Sequence, residues 1–496
     1  MAAIDTSIVN VALPNMRGTL GASVEEITWV STGYILSSVI IMPIIALLSS
    51  RFGRKRFYIF CVLLFTSASM LCGIAWDLTS MVIFRIIQGI GGGALIPVSQ
   101  AILRETFPPE EQAMAMGIYG LGVILGPAFG PTLGGWLTDN YSWPWIFYIN
   151  VPIGLINTFL IMKFIHDPPY LVRAKGALDF GGLFFMIIGF GALQIMLEKG
   201  ELNDWFASNF IIYLAIIAGA GLILFTWREL TTEEPAVDLR ILKDLNFSSA
   251  TFLGGILGMC LFGSLFLLPL FLQQLLNYTA FDSGLALLPR TIAMGVTMPI
   301  AGKLYNRTGP RWLIGFGLVL NAISFYQLSR LALNAGYWDI FFPQAVQGLG
   351  FGFIFVSLST AALFTIEKKL MTAASGLYNV TRQVFASIGI ALSATLLTRG
   401  ENWNRAILMK HVNVFTDKTS ESLRILSSYF YSHGMDAAGA YNRALKVVEG
   451  TVDRQSSMLS YNHVFFIMAV VFLISIPLIF LIKNQKMTLK TDTIAE

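Results

Sequence analysis

Charged residues are scarce in this chain: 12% of its 496 residues are Asp, Glu, Lys or Arg, against about 25% in soluble domains. With 55% hydrophobic residues, that deficit excludes a soluble globular protein and points to a polytopic membrane protein. Cysteine is nearly missing. Cys61, Cys72 and Cys260 all lie in apolar runs, so neither a disulfide framework nor a metal site is expected. The four histidines sit at span ends or in loops. The net charge of +4 is scattered over short loops, and without a basic stripe no nucleic-acid partner is expected. No G-x-x-x-x-G-K-[ST] stretch exists to take ATP, and no H-E-x-x-H or C-x-x-C occurs. An enzyme is therefore not expected, and neither is a bound cofactor. The apolar N-terminal segment lacks a basic n-region and a small-residue cleavage site, so no cleavable signal peptide is expected.

What the chain has in abundance is long apolar runs. A span needs about 20 apolar residues, and about fourteen candidates meet or approach that length: 1–14, 27–48, 57–76, 81–103, 113–137, 145–165, 177–197, 209–228, 250–273, 284–304, 311–333, 339–365, 372–397 and 461–482. The first is too short to cross alone, so the chain reads as starting partway into its first helix. Basic residues such as Arg51, Arg54, Lys55, Arg56, Lys303, Arg307, Arg311, Lys368 and Lys369 fall in alternate loops, against Arg17, Lys199 and Arg330 in the others. The positive-inside rule then places both termini in the cytoplasm. The last outer connection, 398–460, is unusually long. Tyr441, Ala444, Leu445, Val448 and Val452 follow helical spacing there, which predicts an amphipathic helical hairpin outside the membrane, either a solvated cap or a partner-docking element.

The chain repeats itself. Pro43 to Gly53 parallels Pro299 to Gly309, with Arg51 and Arg307 in register. Gln88-Gly89-Ile-Gly91 matches Gln347-Gly348-Leu-Gly350, and Gly117-Ile-Tyr119 matches Gly376-Leu-Tyr378. Two six-span halves follow, residues 1–166 and 241–496, with two spans inserted in 167–240. Parallel repeats around a midplane site are a transporter architecture. The repeated Arg51-Phe-Gly53-Arg54 and Arg307-Thr-Gly309 loops read as tight turns that latch one conformation.

Gly122, Gly126, Gly130 and Gly134 recur every fourth residue in one apolar run, with Pro127 and Pro131 repeating the step. In water this is a poor helix, since Gly costs about 1 kcal/mol and Pro about 3 kcal/mol relative to Ala. In a bilayer a bare glycine face lets a second helix approach closely. The second half puts Phe385 and Ala386 at the positions of Gly126 and Pro127, so this face belongs to one half only. It reads as a bending, close-packed gate helix.

Charges inside spans cost about 2.5–3.5 kcal/mol each on insertion scales and mark function by default. Asp5 is the carboxylate well inside an apolar segment; Arg85, Arg290 and Arg382 are the cations. Asp5 either takes and releases a proton or makes a permanent ion pair that positions helices. Arg85 shares a helix face with Gln88 and Gly89, as a tuner of a carboxylate or as a packing residue. Arg382 shares a polar face with Asn379. These two, with Asn10 and Gln88, are the candidate cavity residues. Arg290 lies nearer a span start and reads as a snorkelling side chain.

At these residues the chain resembles the major facilitator superfamily, and within it the fourteen-span drug:proton antiporters of the EmrB/QacA type, closer to the EmrB branch. The resemblance covers nearly the whole chain. It rests on Asp5-Thr6…Asn10…Pro14, on Arg51-Phe-Gly53-Arg54-Lys55, and on Arg85…Gln88-Gly89…Gly91. It rests also on Gly122…Gly126-Pro127…Gly130-Pro131…Gly134-Gly135, on Ser142-Trp143-Pro144-Trp145…Asn150-Val-Pro152, and on the long outer loop. Ala46 and Ser50 depart from the usual Gly and Asp of the inner-loop motif, and Pro144 from an Arg between the tryptophans. The resemblance implies an all-α major facilitator fold in the bacterial inner membrane, and a proton gradient as the energy source. It makes Asp5 and Arg85 the proton-coupling pair. Substrates would be hydrophobic or amphipathic small molecules, with anionic compounds as plausible as cationic drugs. In a Gram-negative cell it implies a periplasmic adaptor of the membrane-fusion type and an outer-membrane channel. A proton-coupled uptake symporter or a metabolite exporter is the alternative on the same fold.

Overall fold

The computed structural model describes residues 1–167, 179–232, 235–412 and 417–483, and its regular structure is helical throughout. Six helical segments come first: α1 (Ala2–Leu20), α2 (Val24–Ile27) with α3 (Trp29–Phe52), α4 (Arg54–Gly73), α5 (Leu78–Thr106), α6 (Pro109–Asn140), and α7 (Trp145–Tyr148) with α8 (Asn150–Phe164). A pair follows, α9 (Phe180–Lys199) and α10 (Asn209–Thr231). The second set is α11 (Leu245–Gln274), α12 (Ala280–Thr308), α13 (Pro310–Leu328), α14 (Tyr337–Ala362), α15 (Met371–His411), α16 (Asp417–Ser432) and α17 (Ala437–Ser475). Among the described residues eleven helical stretches are long and apolar enough to cross a membrane. The expected boundary after residue 166 runs into 168–178, outside the described residues.

Local chemistry explains the starts and stops. Ser23 and Asp77 close capping boxes on α2 and α5, and Asp179, Asp244 and Thr279 cap α9, α11 and α12 through their side-chain oxygens; each side chain satisfies amide donors that a helix end leaves free. Prolines at 43, 97, 269, 289, 299 and 343 stand inside helices, as a membrane interior allows where neighbouring helices re-satisfy the freed carbonyls. Gly53 and Gly309 both take positive φ, 87° and 83°, which only glycine adopts readily. Each turns the chain sharply from one helix into the next, at matched places in the repeat.

The repeat is visible in three dimensions. A Cβ on Gly89 would strike α3 at Tyr34 and Ser37, and one on Gly348 would strike α12 at Arg290 and Ala293. On the opposite flank Gly91 lies against Cys61 and Phe65 of α4, and Gly350 against Gly317 and Asn321 of α13. The Gly-x-Gly step thus wedges α5 and α14 between the same two neighbours in each set.

The two sets meet at the ends that carry the basic loops, through reciprocal crossings. Gly117 of α6 lies on the Met298 carbonyl and Pro299 of α12, and Gly376 of α15 on the Met42 carbonyl and Pro43 of α3. Side chains reinforce this seam: Asn379 Nδ2 donates to Gln100 Oε1 at 2.6 Å, and Ser375 Oγ to the Pro97 carbonyl at 3.0 Å.

Two expectations need correction. The first helix does not stop at Pro14 but runs to Leu20, because Pro14 removes one bond that the surroundings tolerate and Gly21, at φ 64°, ends it. The segment 398–460 is not a separate hairpin: α15 continues unbroken to His411, and α17 starts at Ala437 and runs into the last span. Only α16 is a helix of its own, and it packs along the first part of α17. The apolar positions from Tyr441 to Val452 are helical as expected, but within α17.

Candidate functional site

Asp5 is fully buried, and three donors converge on its carboxylate. Arg85 donates to Oδ2 at 2.5 Å, Gln88 Nε2 to Oδ1 at 2.9 Å, and Asn150 Nδ2 to Oδ1 at 3.2 Å. Arg85 also donates to the Val30 carbonyl and to Gln88 Oε1, and its guanidinium lies over the Tyr34 ring, 4.4 Å from the centroid. Asn150 is held in turn by Ser69 Oγ. Asp5 Oδ1 accepts two of these bonds and Oδ2 one. Breaking such a pair in a buried site by removing one partner costs about 3–5 kcal/mol. The network draws on α1, α3, α4, α5 and α8, so Asp5 ties together five of the six segments of the first set.

Close packing fixes its position. A Cβ on Gly126 would sit 2.7 Å from the Ala3 carbonyl carbon and 2.8 Å from Ile4 N; on Gly130 it would collide with Ser7, and on Gly134 it would lie 2.7 Å from Ile8. Ser7 Oγ donates to the Gly126 carbonyl. The glycine stripe of α6 therefore carries α1, and with it Asp5, from the eighteenth residue onward of a helix of 32. Gly122 departs from the expectation. It is exposed and a Cβ there would meet nothing within 4 Å, because the fourfold spacing drifts around a helix of 3.6 residues per turn. The side chains of Pro127 and Pro131 lie outside the described residues.

A separate cavity of about 930 Å³, its open mouth included, lies between the two helix sets. Leu257, Leu261, Leu287, Met294 and Phe355 line it, with Val123 and Thr132 of α6 on the facing wall. Its polar groups are few, and two are arginines, Arg290 and Arg382. Arg290 does not snorkel. It is 3% exposed and held at 3.2 Å by Ser264 Oγ and 3.3 Å by Gln347 Oε1, because Pro289 and the close approach of Gly348 to the Arg290 carbonyl bury this stretch of α12. Arg382 lies over the Phe355 ring. Among the described residues neither guanidinium has a carboxylate partner within ion-pair distance.

Of the four residues expected to line a cavity, then, Arg382 does. Gln88 belongs to the sealed Asp5 network, Asn379 to the seam between the sets, and Asn10 is exposed, accepting from Ser31 Oγ at 2.9 Å. In the expected latch, Arg51 and Arg307 are exposed. Arg54 is the buried member: it pairs with Glu105 and donates to Thr372 Oγ1 across the seam at 3.0 Å. The acid missing at Ser50 is thus replaced from α5. Lys55 and Arg311, each two residues after the turn glycine, donate to carbonyls ending their own helix set, at Met162 and at Phe480 and Ile482.

A family model described as Major Facilitator Superfamily matches residues 1–390. The chain belongs to the major facilitator superfamily. Within the superfamily it is 34% identical over 484 residues to the fatty acid resistance protein FarB of Neisseria gonorrhoeae, covering 97% of this chain and 94% of that one. It is 33% identical over 488 residues to the multidrug export protein EmrB of Escherichia coli K12, covering 97% and 93%. Among solved structures, the human organic anion transporter MFSD10 superposes with a TM-score of 0.61 at 12% identity, over 96% of each chain, and the proton:xylose symporter XylE with 0.56 at 13%, over 95% and 91%. At those identities they show the fold. The EmrB-type resemblance read from the motifs is met by these relatives, and this major facilitator protein is a multi-pass membrane transporter rather than an enzyme.

Proposed function

We propose that this protein exports hydrophobic or amphipathic small molecules across the bacterial inner membrane in exchange for protons, by rocking its two helix sets about the central cavity. Fourteen membrane helices carry it: α1, α6 and α13 join the eleven apolar stretches, with both termini in the cytoplasm. The proton gradient supplies the energy, with no bound cofactor. The carrying observation is the arrangement of two sites on one helix. α6 faces the cavity with Val123 and Thr132 and carries α1, hence Asp5, on Gly126, Gly130 and Gly134. A change at either site moves the helix that the other rests on. The halves meet at the basic-loop ends, so the cavity faces outwards in this state, with Asp5 sealed.

The cavity chemistry favours amphipathic anions, since two arginines without carboxylate partners sit in apolar walls. That agrees with the relative named for fatty acid resistance. The extension built by the ends of α15 and α17 with α16 exposes Trp403, Ile425, Tyr429 and Tyr431, a surface suited to a periplasmic adaptor leading to an outer-membrane channel. Everted vesicles acidified inside should take up laurate or a fluorescent anionic dye, and a protonophore should abolish uptake. Asp5→Asn should abolish it too; parental transport by that variant sinks the mechanism. Flux in the opposite direction would make the protein a symporter.

A further inference from the structure

The inserted pair α9–α10 holds, at the α3 contact, a half-buried carboxylate with one enclosed oxygen, Glu198. Thr32 Oγ1 of α3 and Glu198 Oε1 of α9 lie 2.5 Å apart, while Glu198 Oε2 is buried without a hydrogen-bond partner. Thr32 Oγ1 is also 3.0 Å from the Thr28 carbonyl. A threonine hydroxyl has one proton to give, so the two contacts cannot both be donated by Thr32. With Glu198 protonated, its O–H donates to Thr32 Oγ1, and Thr32 donates to the Thr28 carbonyl. With Glu198 ionised, the Thr32 O–H turns to the carboxylate and the Thr28 carbonyl keeps its backbone bonds from Ser31 N and Thr32 N. Rotation of one hydroxyl thus accommodates either state. Thr32 is fully buried and Glu198 Oε2 enclosed in this state, so the proton passes to outside water only when the contact between α3 and α9 opens.

The location gives that exchange a consequence. α9 bridges the two helix sets: it touches α3 through Thr32, and α15 through Gln194 Nε2, which donates to Ser387 Oγ at 3.0 Å. Just beyond its end, Trp205 Nε1 donates to Thr395 Oγ1 of α15 at 2.7 Å. α3 and α15 touch each other directly at Met42 and Gly376, farther along α3 and nearer the start of α15. When the sets rock, the gap that α9 spans must change, and its grip on α3 must change with it. The charged groups around Glu198 among the described residues are Lys199 on its own helix, Glu25 and Glu26 on α2, and Glu201 with Arg399 of α15 beyond the helix end. Lys199 Nζ is engaged by Thr28 Oγ1 and the Glu25 carbonyl.

We infer that Glu198 is a second proton-carrying carboxylate of the transport cycle, separate from Asp5, which binds or releases its proton as the seam between α9 and α3 tightens or loosens. This rests on the antiport reading above. The test uses the full-length protein in liposomes and needs no substrate. Infrared difference titration follows the protonated-carboxyl stretch, and spin labels on Thr19→Cys and Trp403→Cys follow the separation of the two sets against pH. Glu198→Gln should remove one titrating carboxyl band and leave the band that Asp5→Asn removes. It should also lower the pH dependence of the open-to-closed ratio by one proton, about tenfold per pH unit. Thr32→Val should move the Glu198 band without abolishing it. A Glu198→Gln protein whose spectrum and pH slope match the parent overturns the assignment; so does loss of the band with an unchanged slope, which would make Glu198 a structural acid. Failure of antiport itself would show elsewhere, as parental transport by Asp5→Asn.

Discussion

Adding one methyl group to the glycine face of α6 tests how Asp5 is positioned. In Gly126→Ala the new Cβ would sit 2.7–2.8 Å from Ala3 and Ile4, where carbon contacts prefer about 3.5–4.0 Å. α1 must therefore retreat by about 1 Å, at a cost of about 1–3 kcal/mol for overpacking. Asp5 follows Ile4 directly, and its Oδ2 stands 2.5 Å from the Arg85 guanidinium; a 1 Å retreat takes that contact beyond hydrogen-bond range. Misplacement of about 1 Å at a reacting group costs up to about 10²-fold in rate, so transport should fall by one to two orders of magnitude, and Gly126→Leu should abolish it. Gly122→Ala is the internal control, since its Cβ meets open space and helix propensity gains up to about 1 kcal/mol. The assay is proton-driven uptake into everted vesicles, normalised to inserted protein, with thermal unfolding in detergent alongside. Parental transport by Gly126→Ala, or an equal loss in Gly122→Ala, would refute the positioning role of the stripe.

The reciprocal crossings make Gly117→Val and Gly376→Val equivalent wedges: each should part the basic-loop ends and raise the reactivity of an engineered cysteine at the seam to a similar degree, and a one-sided effect would count against two-fold gating. Arg290→Ala removes a cavity cation that has no carboxylate partner, so uptake of an anionic dye should fall at least tenfold while a cationic dye is affected less; equal losses would refute its role in charge selection. Burial pushes the Asp244 carboxyl up, but Thr365, the amides of Phe247 and Asn246 and the nearby Lys483 hold it below the usual carboxylate range. Its capping contribution to α11 is therefore present above the unfolded value of about 3.9 and lost as pH falls through the folded value. Asp244→Ala should lower stability by about 1 kcal/mol near neutrality and weaken that acid-side decline in a thermal unfolding series.

Much of the architecture was legible because a bilayer leaves few choices. Apolar runs must be helices, and matched Gly-x-Gly and Pro-to-Gly spacings had to pack alike in both sets, as Gly89 with Gly348 and Gly53 with Gly309 now do. Asp5 with Arg85 could be picked out because ionised groups in apolar runs are rare. Asn150 escaped, since an asparagine two residues before a proline in a long run carries no charge to mark it. Glu198 escaped because it lies one residue from Lys199 at a span end, where a solvated pair is the ordinary outcome. Arg290 was misjudged for a similar reason: distance from a span end measures depth, not which neighbour covers the side chain. Asn379 and Gln88 share faces with arginines, yet a helix face does not say whether its partner is a cavity or another helix.

The sealing of Asp5 bears on what the protein does when there is nothing to export. With no exposed surface on Asp5 and 1% on Arg85, protons at the mouth of the cavity have no contact with this carboxylate in this state. An idle copy is thus an open switch in the membrane's electrical circuit rather than a resistor across it. A cell that carries many copies in the absence of toxin should keep its membrane potential, and reserve capacity can be held ready without a standing drain. Widening the α1–α6 contact would turn that reserve into a leak, visible as slowed growth at acidic pH even where no drug is present.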